Sequence, residues 1–361
     1  MELAGRPPRA DAAPARSLAP TRPLPRAGRF GYVTVGHVTA DVIAADSSRR
    51  PGGGAFYSAL QAARLGLRTL ILTQGAAPEI EALLEPYRAE LAVRILPAAA
   101  TTTLRTSWSG THRTQRLLAW AGPIAEAVTA VDTQILHFAP VARETPAVWR
   151  GHADFVGLTP QGLVRKWDRR DETDGRSDRE AGGGTRGETS GDMGGGMAGE
   201  TSGNIGNEAG AEIFPAPLPA DRRSLEALLP RGCSAIVISE QERAACAPLL
   251  VAAMAKGATI AITAGPGATT VETPDGKSAQ VQAPPVTAPR EDLGAGDVFA
   301  AAFFVALHEG LPPTQAAAFG NAAAAIRIEG AGAGAIGDRH AIEARLAGDK
   351  EGSPVSKKQT A

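Results

Sequence analysis

Cysteine is nearly missing. Cys233 and Cys246 are the two in 361 residues, too few for a disulfide framework or a Cys-based zinc site. That usage fits a reducing compartment, and a cytoplasmic location is expected. Neither sign of charge is in excess: 37 Lys and Arg face 38 Asp and Glu, so the net charge of −1 gives no support to a nucleic-acid or membrane-surface partner. No apolar run approaches the ~18 residues of a membrane span, and the first thirty residues lack the apolar core of a secretory signal. The phosphate-loop pattern Gly-x-x-x-x-Gly-Lys-Ser/Thr is absent, which excludes a P-loop ATPase, and so is the hydrolase elbow Gly-x-Ser-x-Gly. His37, His112, His137, His152, His308 and His340 form no pair at metal-ligand spacing. Gly332 to Gly337 formally spells the dinucleotide pattern but follows a helix with no βαβ unit behind it, which leaves a nicotinamide-dependent oxidoreductase without its fingerprint.

What is present is a globular composition, 43% hydrophobic and 21% charged, with 42 Gly and 27 Pro. Those last two counts exceed ordinary usage, so disorder is expected to be concentrated in a few places. Residues 1–28 are one: arginines among prolines, hardly a bulky apolar side chain, and a disordered tail is expected. An organellar transit peptide is the alternative, but it works as an amphipathic helix, which these prolines forbid. Residues 166–213 are another. Lys166 to Glu212 holds no Val, Leu, Phe or Tyr and repeats Gly-Glu-Thr-Ser-Gly at 187–191 and 199–203. It has too little apolar surface to offset its ordering entropy, and a disordered insert is expected. Residues 347–361 are polar and read as a disordered tail.

Between these segments the chain has a βα rhythm. Tyr32 to Val35 is β-rich and stops at Gly36. Ala55 to Leu65 has helical spacing and stops at Gly66, and Thr69 to Leu72 is the next buried strand. Strands are expected again at 134–138, 155–158, 235–238, 259–263 and 269–272, with helical connections between 138 and 155. Thr101 to Trp120 changes to alternation around Ser109-Gly110, a half-exposed hairpin that could serve as a lid. Two closing helices are expected, one from about Gly296 burying Val298, Phe299, Phe303 and Leu307, the other from about Pro313 to Ile328. The order predicts an α/β fold with a mostly parallel sheet.

The most informative stretch is Glu291-Asp292-Leu293-Gly294-Ala295-Gly296-Asp297. A glycine-framed turn entering a helix points several unpaired N–H groups at one spot, and the helix dipole adds positive potential there, so an anion is welcome. Asp297 in the first turn is then either a capping carboxylate or, beside a bound phosphate, a group that accepts a proton from an attacking hydroxyl. The stretch resembles the C-terminal motif of the PfkB, or ribokinase-like, family of carbohydrate kinases, Asp-Thr-Thr-Gly-Ala-Gly-Asp. The resemblance implies that Gly294, Ala295 and Gly296 supply an anion hole and that Asp297 is the base. Glu291 stands where the family usually has Asp, and Asp292 and Leu293 replace threonines. That neighbourhood helps to place a monovalent cation in some members, so potassium dependence is in question here.

Other stretches fall in the family's order. Gly36-His37-Val38-Thr39-Ala40-Asp41 resembles the first-strand motif, whose Asp binds substrate hydroxyls; alone it would be a strand-end turn. Gly52 and Gly53 resemble the glycine pair of the substrate loop, with Tyr57 where the family often has Asn. Ser239-Glu240-Gln241-Glu242 sits at the place of Asn-x-x-Glu, implying that Glu242 organises magnesium through water, although a helix capping box has the same spacing. Thr263 to Gly267 resembles the nucleotide loop one residue short, with Gly265 and Gly267 as contacts, and Asn321 matches a residue near the adenine. Gln161-Gly162-Leu163-Val164-Arg165 is similar to a stretch in an inositol-kinase-like branch.

The resemblance covers about residues 30–345. It implies a three-layer α/β/α kinase domain over 29–346, with a small β lid from about 37–50 and 97–120. The implied activity is ATP- and magnesium-dependent phosphorylation of a hydroxyl on a small sugar, polyol or nucleoside, an inositol-like polyol among them. The competing class is a non-catalytic sugar-binding or regulatory protein of the same architecture. The expected partner is a small molecule, with no nucleic acid and no membrane; the lid's exposed strand edges could also assemble a homodimer.

Overall fold

The computed structural model describes residues 29–43, 48–109, 112–125, 130–146, 148–167, 203–204 and 210–351. The expected tail at 1–28, the turn residue Gly110, positions 168–202 and 205–209 of the expected insert, and 352–361 lie outside the described residues.

Chain order runs β1 (Phe30–Val35), β2 (Thr39–Ile43), β3 (Arg49–Gly52), α1 (Gly54–Arg64), β4 (Thr69–Gly75), α2 (Ala77–Leu84) and β5 (Leu91–Pro97). The hairpin β6 (Thr103–Ser109) and β7 (His112–Trp120) follows, then β8 (Ala130–Phe138), β9 (Arg150–Leu158), α3 (Gln161–Val164), β10 (Arg165–Trp167), β11 (Gly203–Asn204) and β12 (Ala211–Pro215). The last third comprises α4 (Arg222–Leu228), β13 (Cys233–Ser239), α5 (Glu240–Ala255), β14 (Thr259–Thr263), β15 (Thr269–Glu272), β16 (Ser278–Val281), α6 (Ala295–His308), α7 (Pro313–Glu329) and α8 (Arg339–Glu351).

Nine strands form the main sheet in the order β16-β15-β14-β13-β9-β8-β1-β4-β5. It is parallel from β14 to β5, and the β14–β15 and β15–β16 pairs are antiparallel. Because side chains alternate across a strand, neighbours in sequence enter opposite cores. Ile71, Ile135 and Val237 pack beneath α1, α6 and α7. Leu70, Leu136, Ile236 and Ile238 pack with Leu225, Leu249 and Leu250 of α4 and α5 on the other face. Helices therefore cover both faces, as a parallel sheet requires. Helix α6 is apolar almost all round, with Phe299, Phe303 and Phe304 fully buried, which makes it a central element.

The second sheet is the lid, ordered β10-β12-β7-β6-β2-β3 with β11 on β7. Leu104, Leu117 and Trp120 form its inner layer, with Trp167 tilted against Trp120 at 5.8 Å between ring centroids. Both cysteines are free and buried, and desolvation pushes each thiol up to about 12, so neither is a ready nucleophile. Among the described residues no helix is long and apolar enough to cross a membrane.

Three sequence expectations are corrected. The described residues between β8 and β9 are not helical. Pro140 and Pro146 lie in that segment, and the carboxylate of Glu144 takes over its backbone donors, accepting from the N–H groups of His37, Val141 and Ala142 at 2.7–3.0 Å. The ends of the 166–213 insert, at 166–167, 203–204 and 211–213, are strands of the lid, because one aromatic, Trp167, finds a partner there that composition could not reveal. Helix α8 crosses the boundary drawn at 346 and reaches Glu351. Asp338 caps the entry to this helix through the Ala341 amide at 2.8 Å, and Arg345 ties it to Glu329.

Candidate active site

Ligands of open parallel sheets bind beyond the carboxyl ends of the strands, where the strand order reverses. Here β1 leads to β4 on one side and has β8 on its other. A cavity of about 140 Å³ lies at that edge, touching Pro140 after β8, Thr159 after β9, Ser239 at the end of β13 and Thr263 at the end of β14. The lid closes it through Asp41, Leu104 and Gln115.

Two helix N-termini meet there. Helix α1 starts after Gly53 and α6 starts after Gly294; neither N-cap side chain can accept a hydrogen bond, and both residues have positive φ, +86° and +80°. Glycine alone holds those conformations cheaply and leaves first-turn amides open to a ligand. Gly53, Gly54, Gly294 and Gly296 all line the cavity, so an anion there would feel both dipoles. The amide of Ala295 is used differently from the sequence expectation. It closes the turn onto the Asp292 carbonyl at 3.0 Å, and its side chain is buried.

Asp297 is half-buried in the first turn of α6 and faces the same space. A Cβ on Gly54 would stand 2.8 Å from its Oδ1, so the two helix starts are in contact through this carboxylate. The Ser58 hydroxyl donates to its backbone carbonyl at 3.2 Å. Across the cavity Asp41 is buried on β2, with the Thr39 hydroxyl donating to Oδ1 at 2.7 Å. Gly52, in the partner strand β3, has no side chain because the Asp41 carboxylate occupies that space: a Cβ would be 2.1 Å from Oδ2. Tyr57 lies across Gly294, whose Cβ would meet the ring at 2.4 Å. Burial, and then the charge of Asp41, push its phenol well up, so it stays protonated.

On the other side, Glu242 lines the cavity and both its oxygens are bonded: Oε2 accepts from the Ser239 amide at 3.1 Å and Oε1 from the Gln161 amide at 2.7 Å. Gly265 and Gly267 follow β14 in an exposed turn outside the cavity lining. Asn321 is buried and committed elsewhere. It accepts from Thr269 at 2.7 Å and donates toward the Val281 and Gln282 carbonyls at 3.3 and 3.4 Å, which holds β15 and β16 to α7. Its amide is therefore occupied in a structural role and is not presented to a base.

Sequence reasoning did not assign Gln115, Gln161 and Arg165 to the cavity, although Gln161 and Arg165 belong to the Gln-Gly-x-x-Arg stretch it singled out. Arg165 donates to the Val141 carbonyl at 3.0 Å and to Gln115 Oε1 at 2.8 Å, joining core to lid beside the ligand space. Beneath lies a buried chain in which Thr159 and Tyr32 flank His137 at 3.1 and 3.0 Å. Desolvation drives the His137 pKa down to about 3, so its imidazole is neutral.

Residues 199–339 match the model of the pfkB family carbohydrate kinases. No curated protein matches the chain. Solved structures do. A pyrophosphate-dependent kinase in the ribokinase family, complexed with a pyrophosphate analog and myo-inositol, is 17% identical over 87% of this chain and 99% of its own, with a TM-score of 0.60. A Burkholderia thailandensis nucleoside kinase in complex with inosine is 16% identical over 88% of this chain and 97% of its own, with a TM-score of 0.59. The Arabidopsis thaliana ribokinase complexed with ribose and ATP is 15% identical over 88% of this chain and 99% of its own, with a TM-score of 0.56. At these identities the likeness is one of fold, the three-layer α/β arrangement with a small β lid.

Proposed function

We propose that the chain, whose residues 199–339 match the model of the pfkB family carbohydrate kinases, is a kinase of that family and phosphorylates a hydroxyl of a small sugar, polyol or nucleoside with ATP as donor. The observation that carries this reading is the placement of Asp297 between two glycine-started helices, with Asp41 on the lid bounding the same cavity. A sugar- or polyol-sized acceptor would be gripped through its hydroxyls by Asp41, with the backbone at Gly52 and Gly53 approaching it closely and Tyr57 forming the floor. The reacting hydroxyl oxygen attacks the terminal phosphorus of the donor, its proton passes to Asp297, and the bond to the leaving ADP oxygen breaks. Amides of Gly294 and Gly296, at the N-terminus of α6, stabilise the charge on the transferred group.

Glu242, Asp292 and Asp297 are hard oxygen donors along the cavity and suit magnesium. Among the described residues no three His, Cys, Asp or Glu cluster as a ready metal cage, so the ion would be held by the donor phosphates, with Glu242 acting through water. When bound, it neutralises donor phosphate charge. Gly265 and Gly267, at the mouth of β14, would border the nucleotide.

The test is a screen over sugars, inositols and nucleosides that reads ADP release with ATP as donor and, in parallel, phosphate release with pyrophosphate as donor, run beside Asp297→Asn. Turnover on the best acceptor is expected to fall at least about a hundredfold in the variant, the low end for a positioned base. Equal rates would remove Asp297 from the chemistry. Retention of acceptor without turnover under any donor would favour the non-catalytic reading.

A further inference from the structure

Behind the anion-binding turn lies a positive charge that the reaction just proposed does not use. Arg327, in the last turn of α7, is fully buried. Its Nη1 donates to the Glu291 carbonyl at 3.4 Å and the Gly330 carbonyl at 3.2 Å, and its Nη2 faces Glu291 Oε1 at 3.5 Å. The other oxygen of Glu291 accepts from the Gly332 amide at 2.6 Å. The amides of Arg290 and Glu291 return to the Ile328 carbonyl at 2.8 and 3.3 Å. The guanidinium also lies over the Tyr57 ring, 5.6 Å from its centroid, and that ring packs on Gly294.

Two routes thus run from one side chain to the start of α6: through Glu291 along 291–294, and through Tyr57 onto Gly294. A fully buried guanidinium carries a heavy desolvation cost unless oxygens surround it. Here two carbonyls accept from Nη1 and the Glu291 carboxylate balances the charge at 3.5 Å from Nη2, while Nε and Nη2 make no hydrogen bond. The oxygens thus gather on the Glu291 and Gly330 side of the group, a set of the kind that otherwise holds a small cation. A soluble monovalent cation does not fit among them, because each of these oxygens already faces a fixed positive charge.

We propose that Arg327 is a positioning residue that serves as the built-in cation of the anion-binding turn, fixing Gly294 and the helix start behind it, and that the protein needs no soluble monovalent cation there. The proposal rests on the kinase reading for its rate consequences but not for its binding consequences. Replacing Arg327 leaves Asp41 and the Gly52–Gly53 backbone, which grip the acceptor, in place, while the turn that carries Gly294 loses its anchor. The loss should therefore fall on kcat, with the acceptor KM little changed.

The experiment has two independent readouts. The first is thermal unfolding in potassium chloride against choline chloride at equal ionic strength. Wild type should melt at the same temperature in both, whereas Arg327→Ala should melt lower and be raised by low millimolar guanidinium or by potassium, which bind the vacated oxygens. The second is turnover on the acceptor found above. Arg327→Ala should lose up to about a hundredfold in kcat, the scale for a displaced catalytic array, and recover part of it with guanidinium. Arg327→Lys keeps the charge and should fall between. A wild type whose melting temperature or turnover rises in potassium overturns the proposal, as does an Arg327→Ala variant that keeps its kcat or ignores guanidinium in both readouts. If Arg327→Ala does not fold, Arg327→Lys and the wild-type cation titration still decide it. Absence of any kinase turnover in wild type would instead count against the kinase reading and leave the melting result to judge Arg327.

Discussion

Two glycines mark where the carboxylates stand, and each gives a separable forecast. Gly54 has ordinary helical backbone, so alanine there should leave folding stability within about 1 kcal/mol and improve helix propensity. Its new methyl would lie 2.8 Å from Asp297 Oδ1, a contact the carboxylate can relieve by rotating, and 3.2 Å from the Ala139 Cβ, which has to give by a few tenths of an ångström. Gly54→Ala should therefore keep its melting temperature and the acceptor KM and lose kcat by tens of fold or more, the effect of moving a base by about an ångström. Gly52→Ala presses instead on Asp41, at 2.1 Å, and its loss should appear as a raised acceptor KM. Steady-state kinetics beside melting curves distinguish the two. The same kinetic loss in both variants would mean that Asp41 and Asp297 do not divide binding from chemistry.

At the scale of elements, the lid is hinged by a carboxylate. Glu144 is buried, with its oxygens accepting from His37, Val141 and Ala142. Glu144→Gln keeps the volume but turns one acceptor into a donor facing an N–H. The expected cost is about 2 kcal/mol in urea unfolding, with a higher acceptor KM because β2 and Asp41 depart from the segment it holds. A neutral result would show the hinge held by something else. This hinge also marks the limit of what the sequence discloses. Strands such as Thr259–Thr263 and Thr269–Glu272 were legible to the residue, because β-branched runs bounded by glycine or proline have few other solutions. The turn into α6 was legible because left-handed backbone demands glycine. The 139–149 segment was not, since Glu144 acts through neighbours of distant sequence position. Nor was the cavity wall of Gln115 and Arg165. Alternation defines two faces of a hairpin but not which face turns inward, and the shift in pairing between Thr103↔Ala119 and Leu104↔Leu117 resets that choice. Arg327 carried no signal at all: in an alanine-rich helix near its C-terminus, an arginine reads as an ordinary surface residue.

For the whole molecule, the buried imidazoles of His137, on β8 of the main sheet, and of His37, ahead of β2, set a dependence of stability on pH. Desolvation holds His137 at about 3 in the folded chain against a usual 6.5, and His37 is lowered by its burial too. The folded protein thus stays neutral at these sites where the unfolded chain takes up protons, so stability is complete above about pH 7 and is lost as pH falls through 6.5. His137 alone should remove about 2 kcal/mol by pH 5, a substantial part of a typical 5–15 kcal/mol. The carboxylates whose values are shifted, Asp154, Asp221, Glu226, Asp275 and Glu329, are all lowered from usual values of 3.8 or 4.5 and mostly exposed, so their contribution is lost mainly below that window. Urea unfolding between pH 7.5 and 5 therefore isolates the histidines. His137→Gln should reduce the slope over that range, leaving the part that His37 contributes, while the wild type loses stability more steeply. An equal slope in the variant would mean that protonation elsewhere unfolds the chain, and that the buried row of Thr159, His137 and Tyr32 beneath the cavity is not the pH-sensitive part of its floor.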